Sequence, residues 1–182
     1  MIVVTAGLAD KKFNAIIKKG GNGTLSILEA QTQDAEFQGD EPDLVLVTGQ
    51  KMEQISCQNA IFLVRGHSGM PNKFRCEHAV AIVDSSDQSL LEQVAKHHIK
   101  ALTCGLASVD TLTLSSYTSD SAVISLQRQI TAFDGTILEP FELPVSFMSH
   151  VEPFSLLACA AVFFFLGKKN PLANCKLWEL NG

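Results

Sequence analysis

The chain has no Cys-x-x-Cys pair, no Gly-x-Ser-x-Gly turn, no cluster of basic residues, and no apolar stretch long enough to cross a membrane. Each absence removes a class of function. Structural zinc usually takes closely spaced ligand pairs. The five cysteines (Cys57, Cys76, Cys104, Cys159, Cys175) are odd in number and sit mostly in apolar or strand-like runs. They read as reduced, buried thiols of a cytoplasmic protein; a metal cluster of Cys76-Glu77-His78 with Cys57 or Cys104 is the weaker alternative, and no metal is expected. A serine hydrolase needs the missing Gly-x-Ser-x-Gly elbow. Lysines and arginines are scattered through a chain of net charge −5, so a phosphate backbone meets no continuous basic track and nucleic acid is not an expected partner.

The apolar run Leu156–Leu166 falls well short of the roughly 20 residues that span a bilayer. It reads as a helix buried on nearly all sides, with Pro153 in the first turn, Gly167 as the left-handed residue past the end, and Lys168 and Lys169 complementing the carbonyl end of the dipole. The opening Ile2-Val3-Val4-Thr5 reaches Asp10 without the basic start and long apolar run of a secretory signal, so neither export nor a membrane partner is indicated.

What is present is the composition of a packed domain. At 182 residues, 46% hydrophobic and 18% charged, the chain suits one domain over 1–182 built around one core. Ile2–Thr5 reads as a buried strand and Lys11–Lys19 as a helix with Phe13, Ile16 and Ile17 on one face, stopped by Gly20-Gly21-Asn22-Gly23. Thr24–Leu28 alternates weakly as a further strand, and residues 29–43 read as a polar, mobile connection. Leu44–Val47 and Ile61–Val64 look like strands covered on both faces, with a short helix expected over Gln50–Gln58 between them. The turn-rich Arg65–Asn72 is the best candidate in the chain for a contacting loop.

Ala79–Val83, a helix from Asp87 to His98, and Ala101–Thr103 form a strand, helix, strand unit, which crosses over right-handed and makes its strands parallel. Ser85 and Gln88 have the capping-box spacing, and Leu90, Leu91, Val94 and His98 give the helix its buried face. From Asp110 the period becomes two. Asp134-Gly135 is a hairpin signal, and Pro140 and Pro144 place the run Phe141–Phe147 at a sheet edge or outside the sheet. The expected fold is α/β: a three-layer, mostly parallel Rossmann-like sheet with helices on both faces and a small antiparallel extension over about residues 110–147.

This order of elements resembles the central, ATP-binding domain of the Mur ligase family, bacterial enzymes that join amino acids to a cell-wall precursor. Ala81-Ile82-Val83-Asp84-Ser85-Ser86-Asp87 and Leu102-Thr103-Cys104-Gly105 look like the family's two strand-end landmarks. Residues 110–147 and 156–167 look like its small antiparallel strands and its alanine-rich helix ending in Leu-Gly, while residues 1–65 match by element order alone. The family's phosphate loop reads Thr-Gly-Thr-Asn-Gly-Lys-Thr: glycines let N–H groups surround the phosphates, Lys neutralises them, and Thr binds magnesium. This chain has Thr5-Ala6-Gly7-Leu8-Ala9-Asp10-Lys11, with an aspartate in the place of the lysine. His67 lies where the family has an Asp-His pair, without the Asp, and only the short segment after Gly167 stands where the family's C-terminal domain begins.

The resemblance therefore implies a scaffold without a competent phosphate loop: a non-catalytic binding or protein-interaction module with no cofactor, its partner another protein or a second copy of itself. The alternative is a residual nucleotide-dependent ligase or ATPase using ATP and Mg, in which Gly7 with Lys11 or Lys12 replaces the lost lysine and a partner subunit supplies the absent domain. Candidate ligand-binding residues are His67, Asp84 and Asp87. The two aspartates flank a helix start at the carboxyl end of a strand, where open α/β sheets bind ligands, and helix capping explains both as simply.

Overall fold

The computed structural model describes residues 1–6, 11–21, 23–31, 35–36, 41–48, 53–65 and 70–180. In chain order the elements are β1 (Ile2–Ala6), α1 (Lys11–Gly20), β2 (Ile27–Gln31), β3 (Ala35–Glu36), β4 (Leu44–Thr48), β5 (Gln54–Val64), β6 (Lys73–Asp84), α2 (Gln88–Lys96), β7 (Lys100–Gly105), β8 (Leu112–Tyr117), β9 (Ser121–Leu126), β10 (Ile130–Thr131), β11 (Ile137–Leu138), β12 (Phe141–Phe147), α3 (Pro153–Phe165) and β13 (Trp178–Leu180). The fold is α/β, with a mostly parallel sheet and an antiparallel part. The chain divides into two compact units: 1–10 with 25–102, and 11–24 with 103–182.

In the first unit the strands run in the order β6-β5-β1-β4-β2-β3, all parallel except β3. The chain places β2 and β4 on one side of β1, then β5 and β6 on the other, so the winding direction reverses at β1. The last five residues of β5, Ala60–Val64, are buried without interruption, as a strand covered on both faces should be. In β4, by contrast, burial alternates, with Val45 and Val47 partly exposed. Ala60, Phe62, Val64, Ala81 and Val83 share a core with Leu90 and Val94 of α2. That helix begins at Asp87, whose carboxylate accepts from the Ser89 N–H at 3.0 Å. The capping residue is therefore Asp87 and not Ser85. At its other end α2 stops at Lys96, and His98 takes a left-handed φ of 55° and is exposed, so it does not belong to the buried face.

Two further expectations fail here. Gln54–Gln58 are strand, the first half of β5, and not helix; Gln50–Met52 lie outside the described residues. Ile55 and Cys57 turn inward while Gln54, Ser56 and Gln58 face water, and the whole segment is held by pairing with Lys73–His78 of β6. The polar connection 29–43 is also partly ordered into strand, with β2 continuing to Gln31 and β3 pairing back on it.

The second unit holds the 103–105 end of β7 and has strand order β7-β8-β9-β12-β13, parallel at both ends and antiparallel between. Within it α3 is buried from Phe154 through Phe165. Its first turn is closed by Glu152, which accepts from the N–H groups of Phe154 (3.2 Å) and Ser155 (2.8 Å) and from the Ser155 hydroxyl (2.8 Å). Its far end is closed by Gly167 at φ 59°. α1 packs on α3 and β13, and its Phe13, Ile16 and Ile17 are all buried. Asp134-Gly135 does make a hairpin, with Gly135 at φ 85°, but between the separate short strands β10 and β11.

Pro144 lies inside β12, and β12 is not an edge: β9 flanks it on one side and β13 on the other. The proline is tolerated because β13 begins opposite Val145, so one side of β12 carries no partner strand at Pro144. Sheet extension through Phe141–Phe147, the route that would make a homodimer, is occupied over Val145–Phe147 by β13 itself.

Candidate functional site

The carboxyl ends of β5 and β6 bring two of the chain's polar groups together. Their register pairs Val64 with Val83, so the next residues, Arg65 and Asp84, stand side by side where the strands end. The Arg65 Nε lies 3.7 Å from an Asp84 carboxylate oxygen, with 41% of the arginine side chain and 19% of the aspartate side chain exposed. The other carboxylate oxygen of Asp84 accepts from the Ser86 N–H at 3.0 Å and from its hydroxyl at 2.6 Å. The Asp84 backbone carbonyl in turn accepts from the Asp87 N–H at 3.4 Å. Asp87 then caps α2 and also accepts from the Ser89 hydroxyl at 2.6 Å.

Both aspartates are thus engaged in folding the turn between β6 and α2, as short acidic side chains do at helix starts. The Arg65 side chain is part-exposed, and its guanidinium is a planar donor of the kind that suits a carboxylate or phosphate. Arg65 was singled out by the sequence only as part of a loop. Its role as the Asp84 partner follows from parallel register, which a single sequence does not display.

Gly7 and His67 lie outside the described residues, as does Asp10. Lys11 opens α1 in the second unit, and Lys12 follows it as an exposed residue of the first helical turn. In sequence, β1 ends at Ala6 and α1 begins at Lys11, so a strand precedes and a helix follows the segment that carries the phosphate-loop pattern. Among the described residues no group of three or more His, Cys, Asp and Glu is placed to hold a metal ion.

No protein-family model matches the chain, and no curated protein matches it in sequence. Among solved structures, UDP-N-acetylmuramoyl-L-alanyl-D-glutamate-2,6-diaminopimelate ligase is similar over 93% of this chain and 45% of its own, at 12% identity and a TM-score of 0.51. MurF ligase from Thermotoga maritima, solved in complex with ADP, is similar over 94% of this chain and 44% of its own, at 12% identity and a TM-score of 0.48. Both of these solved structures are Mur ligases. At this identity the likeness to the first is one of fold, and the chain spans less than half the length of either ligase. Among the described residues no helix is long and apolar enough to cross a membrane.

Proposed function

We propose that this chain is a non-catalytic module on a Mur-ligase-like fold, acting by binding a protein or small ligand and not by forming a bond. The observation that carries this reading is Asp10. In the segment between β1 and α1 it occupies the position at which the family's phosphate loop has its lysine. A carboxylate there repels a triphosphate instead of neutralising it, and an ion pair cannot be replaced by its like-charged opposite without reversing the sign of the interaction. The part-exposed Arg65 side chain, beside Asp84 at the carboxyl edge of β5 and β6, is the group we assign to contacting an anionic ligand, with His67 two residues after Arg65 and Asp87 three residues after Asp84 in the sequence.

One feature favours the alternative, a residual nucleotide-dependent enzyme with a partner subunit. The strand-then-helix order of a phosphate loop is kept, and Lys12 is exposed in the first turn of α1. Isothermal titration of the full chain with Mg-ATP separates the two. The module predicts no heat, or dissociation constants in the millimolar range. Micromolar binding that disappears in a Lys11→Ala, Lys12→Ala double variant would establish the enzyme reading and defeat the module.

A further inference from the structure

Cys57 of β5 and Cys76 of β6 are direct partners in a parallel ladder, and their sulfur atoms are 3.6 Å apart. Both are half-buried and neither is oxidised. They stand where the two strands change face together. On β5 the residues turned to the α2 core are Ile55 and Cys57, then Ala60, Phe62 and Val64; on β6 they are Phe74 and Cys76, then Ala79, Ala81 and Val83. The parity flips in both strands at the same level while the register stays constant. Two matched irregularities thus keep both thiols on one side of the ladder, and the Cys57 thiol also donates to the Asn59 carbonyl at 3.6 Å.

We propose that Cys57 and Cys76 form a reversible disulfide that clamps β5 to β6, made by exchange with a small disulfide such as oxidised glutathione. Neighbouring strands lie about 4.7–4.9 Å apart, inside the Cα separation of about 4.4–6.8 Å that a disulfide accepts. Because the two side chains share a face, the sulfurs close from contact to bonding distance by side-chain rotation, without changing the register.

The step balances. The Cys76 thiolate attacks one sulfur of the small disulfide, whose S–S bond breaks, and the departing thiolate takes up the proton that Cys76 lost. Cys57 then attacks the Cys76 sulfur of the mixed disulfide and expels the second small thiol, which carries away the Cys57 proton. Two protein sulfurs lose two electrons in all, and the small disulfide gains them. Burial, then the hydrogen bond to Cys76 and the charge on it, push the Cys57 thiol up to about 12, which makes Cys57 the second and not the first nucleophile. Once Cys76 is capped it carries no charge, so the charge that Cys76 set against ionisation of Cys57 is gone.

The test equilibrates the full chain in mixtures of oxidised and reduced glutathione, quenches with an alkylating agent, and maps thiols by mass spectrometry. Trypsin cuts after Lys73 and Arg75 and so separates the two cysteines. The expected product is one cross-linked pair of peptides holding Cys57 and Cys76, two hydrogen atoms lighter than the free peptides and split by dithiothreitol. Recovery of both thiols unmodified at a ratio where the half-buried Cys175 already carries glutathione overturns the proposal, as does stable glutathione on either residue of the wild-type chain. In a Cys57→Ser variant the mixed disulfide on Cys76 has no partner to resolve it, so its occupancy rises at least about tenfold over wild type. Equal occupancy in the two proteins refutes resolution by Cys57, and the wild-type map decides alone if the variant does not fold.

Discussion

Gly20, the last residue of α1, is a position where helix propensity and packing predict opposite signs. In a helix alanine is better than glycine by up to about 1 kcal/mol, so Gly20→Ala should stabilise on local grounds. The added methyl would lie 2.5 Å from Trp178 Cζ2 and 2.9 Å from Phe163 Cε2. Both rings are fully buried, and they stack edge to face with centroids 5.8 Å apart. Relief therefore requires moving two rings by about 1 Å inside a close-packed core, and overpacking of this kind costs about 1–3 kcal/mol. Two rings are displaced at once, which puts the cost at the upper end and leaves a net loss of about 2 kcal/mol. For a chain of this size that lowers Tm by about 4–8 °C. Trp178 is the chain's one tryptophan, so its fluorescence during urea unfolding reports on this site without labelling.

A double-mutant cycle sharpens the argument. The indole N–H of Trp178 is buried and has no hydrogen-bond partner among the described residues. Trp178→Phe removes both that N–H and the atom nearest the new methyl, and in this background, followed by circular dichroism, Gly20→Ala should cost less by about 1 kcal/mol or more. If Gly20→Ala raises the unfolding midpoint in the wild-type background, or costs the same with Phe at 178, the steric reasoning is wrong.

Three further outcomes follow from the same unit. Glu152→Ala removes the acceptor for two N–H groups and a hydroxyl at the start of α3 and should cost about 1–2 kcal/mol in urea unfolding; no change would show that water replaces the cap. Asp134 accepts from the N–H groups of Lys168 and Thr136, which hold its carboxyl below the usual carboxylate range. Because the folded pKa is the lower one, its contribution is present above the ordinary aspartate value and lost as pH falls through the folded value. Asp134→Asn should therefore flatten the acid limb of unfolding midpoint against pH, and an unchanged limb would refute the assignment. Gly167→Ala combines a left-handed φ of 59° with a methyl driven into the Asp134 carboxylate, and it should destabilise by about 2 kcal/mol or more, read as a fall in Tm.

Local signals located α3 well because its information is all in one stretch: Glu152 and Pro153 begin it, Gly167 ends it, and every residue between Phe154 and Phe165 is apolar or small. The same holds for β1, α1 and the Asp134-Gly135 turn. Gln54–Gln58 failed for the converse reason. A polar run with two half-buried side chains has no strong local preference, and it is strand because β6 offers it a parallel ladder. Trp178–Leu180, which makes β13, is likewise too short to announce itself. At the candidate site, Asp84 and Asp87 were legible from their place before a helix, whereas Arg65 was not, because its partner lies on another strand.

Taken by itself, the sequence determined which segments are helix or strand wherever burial follows one period over a full element. Tertiary structure alone decided which strands are neighbours, and with that the pairing of Arg65 with Asp84, the contact of Cys57 with Cys76, and the covering of β12 by β13. The reason is physical: periodicity is a property of consecutive residues, whereas register is fixed by hydrogen bonds and packing between residues far apart along the chain.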